Sequence, residues 1–299
     1  MRKILKAFCL AGVSLALVLP ASAADKTMVV GSKAFTEQRL LGQIMIQMLE
    51  KNGFKVDDKT GLGGTLVVRE ALVNKQIDIC IEYTGTALIA ILKAPQPITD
   101  PVKCYEEVKA LDAKNGIAWL PIIPFNNTYC LMMRRADAEK LGIKTLSDLA
   151  KYVNANPDKV AFGLNAEFYS RPDGYKPLQA AYDFKFPEDK IIKMDPGLLY
   201  KALKDGQVQV AMGFSTDGRI KEFDLVVLQD DKSYFPVYNP CVVVRQETLT
   251  AYPDIAKIFA PLSQKLDTKT ITELNFQVDG EKKAAKDVAK EWLTKQGLL

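Results

Sequence analysis

The stretch Ala71-Leu72-Val73-Asn74-Lys75-Gln76-Ile77-Asp78-Ile79-Cys80-Ile81-Glu82-Tyr83-Thr84 has an echo 131 residues downstream, in Ala202-Leu203-Lys204-Asp205-Gly206-Gln207-Val208-Gln209-Val210-Ala211-Met212-Gly213-Phe214-Ser215. In both, an Ala-Leu pair leads through a turn and a Gln into an alternating apolar run, which ends on an aromatic and a hydroxyl residue. A second match, Val29-Val30-Gly31-Ser32 with Ala161-Phe162-Gly163-Leu164, falls at an offset of 132. Two matches at nearly one offset, each at the same place in a strand-loop-helix order, predict two similar α/β lobes.

Working outward, Met28-Val29-Val30 reads as a strand ended by Gly31-Ser32. Leu40, Leu41, Ile44, Met45, Met48 and Leu49 then line one side of a helix over 37–51. Gly61 to Thr65 form a turn into a helix over 66–74, Ile77 to Ile81 a buried strand, and Glu82 to Thr86 a loop opening another helix. Alternating strands and helices predict largely parallel sheets. In such sheets ligands bind at the carboxyl ends of strands, where helix N-termini face the crevice. Two segments rich in β-formers and punctuated by Pro and Asn, 124–133 and 234–244, are the expected crossovers between lobes. The chain after about residue 240 is then expected to return to the first lobe as helices, including 255–266 and 284–293. The expected divisions are 1–23, 24–128, 129–236 and 237–299.

The 299 residues are 48% hydrophobic and 25% charged, with 18 Gly and 15 Pro, which excludes disordered, collagen-like and multi-span membrane chains. Histidine is absent. That removes Ser-His-Asp and Cys-His nucleophile systems and every His-ligated metal. Arg2, Lys3 and Lys6 precede an apolar run from Ala7 to Leu19, Pro20 and Ala21-Ser22-Ala23, the pattern of a cleaved secretory signal. Loss of these three cations takes the formal net charge from +4 to +1 and leaves no basic stripe for nucleic acid. The expected location is the periplasm and the expected state a monomer.

Cys80, Cys104, Cys130 and Cys241 remain after that cut. An even count in an exported chain without a CxxC pair favours structural disulfides. Of the three possible connectivities, Cys80 with Cys104 and Cys130 with Cys241 is the one favoured here, on the expectation that the latter two lie on adjacent strands.

Four segments together resemble a known family: Gly31-Ser32-Lys33-x-Phe35-Thr36-Glu37-Gln38, Glu82-Tyr83-Thr84-Gly85-Thr86, Tyr169-Ser170-Arg171-Pro172-Asp173-Gly174 and Thr216-Asp217-Gly218-Arg219-Ile220. In order along the chain, they look like the periplasmic substrate-binding proteins of osmoprotectant ABC transporters, the glycine betaine, carnitine and choline group. The resemblance implies a two-lobed Venus-flytrap fold of type II with two crossover hinge strands. It also implies a quaternary-ammonium ligand, an ABC permease as partner, no cofactor and no catalysis. A trimethylammonium head has charge but no N–H, so aromatic faces hold it by cation–π attraction. The family's cage aromatics fall on the loops that here carry Tyr83, Tyr129, Phe214 and Tyr238, with Tyr200 and Tyr234 in reserve. Lys33, Thr86 and Arg171 are implied as partners of a ligand carboxylate. On this reading the Tyr83 ring alone matters, so Tyr83→Phe is expected to be mild and Tyr83→Ala severe. The Asp of Thr216-Asp217-Gly218-Arg219 is expected to cap a helix.

Two other readings stand beside this one. The same fold could take a polar amino acid, or a thiol or imidazole betaine; an amino acid's ammonium has N–H donors and needs a carboxylate in the cleft, for which Glu82 is available. An exported glycosidase using Glu82, Asp173 and Asp217 is the reading from a different class.

Overall fold

The computed structural model describes residues 26–299, so the secretory-signal reading lies outside the described residues. Ten strands appear in order: β1 (Lys26–Lys33), β2 (Phe54–Gly63), β3 (Ile79–Tyr83), β4 (Ile117–Ile122), β5 (Tyr129–Arg134), β6 (Phe162–Leu164), β7 (Ile191–Lys193), β8 (Val210–Phe214), β9 (Leu225–Val227) and β10 (Pro240–Arg245). They form two five-stranded sheets, ordered β2-β1-β3-β10-β4 and β7-β6-β8-β5-β9. Each sheet has the same plan. A parallel trio, β2-β1-β3 or β7-β6-β8, is extended by a strand that has crossed from the other lobe and runs antiparallel to its neighbours. The sheets are therefore mixed where a largely parallel arrangement was expected, because each crossover strand enters its sheet against the direction of the trio.

The echo of the sequence is an echo of registers. Val30 of β1 pairs with Ile79 of β3, and Phe162 of β6 pairs with Val210 of β8. The Asp78 carboxylate accepts from the Val29 amide at 2.7 Å, and the Gln209 amide oxygen from the Ala161 amide at 2.8 Å. The backbone N–H of each, Asp78 and Gln209, donates in turn to the carbonyl of Val29 or Ala161, at 2.8 and 3.0 Å. The glycines match for a packing reason: a Cβ on Gly31 would lie 2.5 Å from Ile77, and one on Gly163 would lie 3.3 Å from Val208, the equivalent residue.

Strands β3 and β10 are buried on both faces, which explains the apolar runs Ile79-Cys80-Ile81 and Cys241-Val242-Val243-Val244 within them. Ile79, Ile81, Tyr83, Val242 and Val244 face the larger core, while Cys80, Cys241 and Val243 face a second cluster with Trp119 and Val108. The helix Thr36–Lys51 buries Leu40, Leu41, Ile44, Met45, Met48 and Leu49 against the larger core. The chain after β10 forms helices Gln246–Ala251, Ile255–Phe259, Leu262–Lys265, Thr268–Asp279 and Ala285–Lys295; the helix expected over 255–266 is two short ones separated at Ala260-Pro261, and Gln246–Ala251 and Thr268–Asp279 lie outside the expected helices. Among the described residues no helix is long and apolar enough to cross a membrane.

The cysteines depart from expectation. All four are buried and free. Cys241 lies in β10 of the first sheet and Cys130 in β5 of the second, so the crossover strands that carry them are not neighbours. Burial pushes the Cys80 thiol up to about 12 and the Cys130 and Cys241 thiols higher still.

Candidate ligand-binding cleft

Chain direction places the cleft. β1 ends on Lys33, β3 on Tyr83 and β8 on Phe214, while β5 begins on Tyr129 and Tyr238 lies just before β10. Tyr129 pairs with Phe214, and Pro240 with Tyr83, so each crossover strand brings an aromatic to the carboxyl end of its sheet. A cavity of about 610 Å³ opens there, lined by all seven residues singled out from the sequence: Lys33, Tyr83, Thr86, Tyr129, Arg171, Phe214 and Tyr238. This is an ordinary size for a small-molecule site.

Tyr129 is the hub of the aromatic wall. Its ring centroid lies 5.4 Å from that of Phe214, 5.6 Å from Tyr238 at an interplanar angle of 85°, and 4.9 Å from Phe168. Phe35, at the N-cap of the helix Thr36–Lys51, reaches Phe214 across the cleft at 5.5 Å. Phe35 belongs to the Gly31–Gln38 segment but is not among the expected cage aromatics. Its position before a helix is equally that of an ordinary packing residue. Of the reserves, Tyr200 lines the cavity and accepts the Phe214 N–H at 2.9 Å, whereas Tyr234 donates to the Gly174 carbonyl at 3.3 Å and does not line it.

The cations are already engaged. Lys33 is 2% exposed and its ammonium donates to Glu82 Oε1 at 2.6 Å, while lying 5.3 Å from the Tyr83 ring centroid. Arg171 makes a fork to Asp173, with Nε to Oδ1 at 2.7 Å and Nη2 to Oδ2 at 2.6 Å. Asp173 Oδ2 also accepts the Tyr238 hydroxyl at 2.8 Å. Arg171 is thus part of the wall's support as well as its lining, and Asp173 is the partner that holds it. The carboxylate of Asp217 accepts the Arg219 N–H at 3.0 Å at the start of the helix Arg219–Glu222 and also forks to the Arg219 guanidinium.

Several contacts join the two lobes. Thr65 Oγ1 donates to Glu167 Oε1 at 2.6 Å, Arg171 Nη2 to Thr86 Oγ1 at 3.4 Å, and Thr216 Oγ1 to Glu37 Oε2 at 2.6 Å. Arg219 forms an ion pair with Asp279 at 2.9 Å. Glu37, Asn275 and Asp279 were not among the residues picked from the sequence. An acid in a helix's first turn already has a local reason to be there, complementing the helix dipole. Asn275 and Asp279 sit in the unanticipated helix Thr268–Asp279, far along the chain from their partners.

Two lobes of one topology, joined by two crossovers around an aromatic cleft with paired charges, define a bilobal solute-binding protein. A family model described as the substrate binding domain of ABC-type glycine betaine transport system matches residues 26–295, and the chain belongs to that family. It is 41% identical to the glycine-betaine-binding protein of Pseudomonas aeruginosa, over 100% of this chain and 96% of that one. It is 38% identical to the ergothioneine transport permease/ergothioneine binding protein EgtU of Helicobacter pylori, over 92% of this chain and 48% of that protein. A crystal structure of a glycine betaine/carnitine/choline ABC transporter protein superposes with a TM-score of 0.73 at 30% identity, covering 91% of this chain and 99% of that one.

Proposed function

We propose that this protein is the periplasmic substrate-binding component of an ABC importer, and that it captures a quaternary-ammonium osmoprotectant such as glycine betaine between its lobes and hands it to the permease as a monomer. It binds and releases its ligand without chemical change. The Tyr83, Tyr129, Phe214 and Tyr238 rings take the methylated head, and Lys33, Thr86 and Arg171 take the carboxylate.

One observation carries this reading: the buried and half-buried carboxylates in and beside the cleft are already engaged. Glu82 holds Lys33 and the Tyr83 N–H, Asp173 holds Arg171 and Tyr238, and Glu167 holds Thr65. Asp217 and Asp279 share Arg219, and Glu37 accepts four neutral donors. An ammonium with N–H donors finds every buried and half-buried carboxylate taken and only the exposed Asp195 open in the lining, whereas an onium that needs only ring faces finds an aromatic wall. The acid of the amino-acid reading, Glu82, is consumed by Lys33. Each desolvated ring contributes about 0.5–2 kcal/mol, so several rings support micromolar affinity after the cost of ordering the ligand. Lys33 uses one of its three donors on Glu82, which leaves N–H groups for a ligand carboxylate.

Calorimetry of the purified protein with glycine betaine, carnitine, choline, proline betaine and ergothioneine tests this. Heat with an aliphatic onium and none with ergothioneine is expected. Absence of heat with every aliphatic onium at millimolar ligand overturns it, and heat with ergothioneine alone moves the assignment to the imidazole betaine.

A further inference from the structure

Glu37 is a junction of four chain segments. Its Oε1 accepts the Tyr83 hydroxyl at 2.6 Å, from the end of β3, and Asn127 Nδ2 at 2.7 Å, from the first crossover. Its Oε2 accepts the Thr216 hydroxyl at 2.6 Å, from the loop after β8 in the second lobe, and Asn275 Nδ2 at 2.8 Å, from the returning helix. The orientation of the Asn275 amide is fixed independently, because the same nitrogen donates to the Thr216 carbonyl at 3.1 Å. Glu37 is 6% exposed, and each oxygen receives two donors. A buried carboxylate is tolerated only while its donors are in place. Three of these donors belong to the first lobe and the crossover; the fourth, Thr216, comes from the second lobe.

We propose that Glu37 is the positioning residue that couples the aromatic wall to lobe closure. Through it the Tyr83 ring of the first lobe and the Thr216 loop of the second share one anchor, so that the wall is complete only when the lobes are shut. The ligand arm of the test rests on the binding reading above; the closure arm does not.

The closure arm measures the distance between the lobes in ligand-free protein, with spin labels on Lys59→Cys and Lys185→Cys, both exposed. Thr216→Val removes the cross-lobe donor and keeps the shape of the side chain. It is expected to lower the closed fraction by about tenfold, the scale of one hydrogen bond to a charged group. Thr216→Ser keeps the donor and restores that fraction. In the ligand arm, Thr216→Val weakens glycine betaine binding by about tenfold through faster dissociation. Tyr83→Phe does the same, and the double variant loses less than the product of the two, since both act on one carboxylate. An unchanged distance distribution in Thr216→Val overturns the proposal, as do strictly multiplicative losses between Tyr83→Phe and Thr216→Val. If the wild-type protein binds none of the onium compounds, the binding reading fails and the distance measurement still decides the role of Glu37.

Discussion

The guanidinium of Arg171 lies over the ring of Tyr129, 5.3 Å from its centroid. The central ring of the cleft therefore already meets a cation of the protein, as Tyr83 meets Lys33 at 5.3 Å and Tyr200 meets Arg219 at 4.3 Å. These contacts orient the rings before any ligand arrives, which reduces the ordering that binding must still supply.

Tyr129 is the position at which ring and hydroxyl separate most cleanly. Its hydroxyl makes no side-chain hydrogen bond among the described residues, while its ring touches Phe168, Phe214 and Tyr238. Tyr129→Phe is expected to keep glycine betaine affinity within about threefold, and Tyr129→Ala to lower it at least about thirtyfold by calorimetry. Equal losses would assign the attraction to the hydroxyl. Tyr83 is different, because Glu37 holds its hydroxyl, so Tyr83→Phe is not expected to be mild.

The Arg171–Asp173 fork is buried at both ends, with side chains 6% exposed. Asp173→Ala strands the guanidinium and releases the Tyr238 hydroxyl, a loss of about 3–5 kcal/mol of stability in denaturant unfolding. Arg171→Lys keeps the charge but cannot make the fork. It is expected to weaken betaine binding by about tenfold. A stable Asp173→Ala protein with full affinity would remove the fork from the site.

The pH dependence follows from the absence of histidine. Burial raises the Glu37 carboxyl against the pull of Thr216, Tyr83, Asn275 and Asn127, and burial likewise raises Asp279. A carboxyl raised on folding weakens stability when ionised, and that penalty fades as pH falls through its folded value toward the unfolded one. Asp148, which is half-buried, and Asp231 and Asp267, which are exposed, are held low by hydrogen bonds from Lys144, Ser147 and Thr270 respectively. Their stabilisation is present above the unfolded aspartate value and is lost as pH falls below it. The melting temperature is therefore expected to hold or rise from about pH 7 to about pH 5 and to fall below about pH 4. A steady fall between about pH 7 and pH 5 contradicts the assignment.

The thiols give a direct chemical check on the fold. With Cys80, Cys104, Cys130 and Cys241 all buried and free, Ellman's reagent applied to protein produced without residues 1–23 is expected to find no thiol in the native state and these four after denaturation, without reductant. A denatured, unreduced chain with two or fewer reactive thiols would restore the disulfide expectation.

Gly218 tests closure from the opposite side to Thr216. Its φ of −64° is accessible to any residue, but an added Cβ would lie 2.4 Å from Phe276 Cβ and 3.0 Å from its Cα, on the returning helix. Gly218→Ala is expected to weaken binding by more than about tenfold while the ligand-free melting temperature stays within about 2 °C, since the clash exists only between lobes. A matching fall in both would place the contact in the fold rather than in closure.

The paired-lobe plan was legible because the strand-turn geometry makes the same demands twice. Asp78 and Gln209 must each satisfy a backbone N–H, Gly31 and Gly163 must each admit a neighbour, and Tyr83 and Phe214 must each end a buried strand. All seven predicted site residues reached the cleft because motifs at strand ends share one edge of the fold. The cysteine pairing failed because strand neighbours across a crossover are set by tertiary packing, which leaves no local mark. Glu37, Asn275 and Asp279 were illegible for a related reason: each has an adequate local role, and the partners that reveal the other role lie in distant segments. Thr36 and Asp279, bonded at 2.8 Å, are 243 residues apart.

The position of β10 between β3 and β4 sets an order on folding as the chain emerges. A chain emerging from its N-terminus possesses every strand of the second lobe by Val227, but its first sheet stays divided, with the facing edges of β3 and β4 unpaired, until Arg245 has followed. The later lobe can mature before the earlier one, and a product truncated just short of β10 keeps the former while leaving two exposed strand edges in the latter.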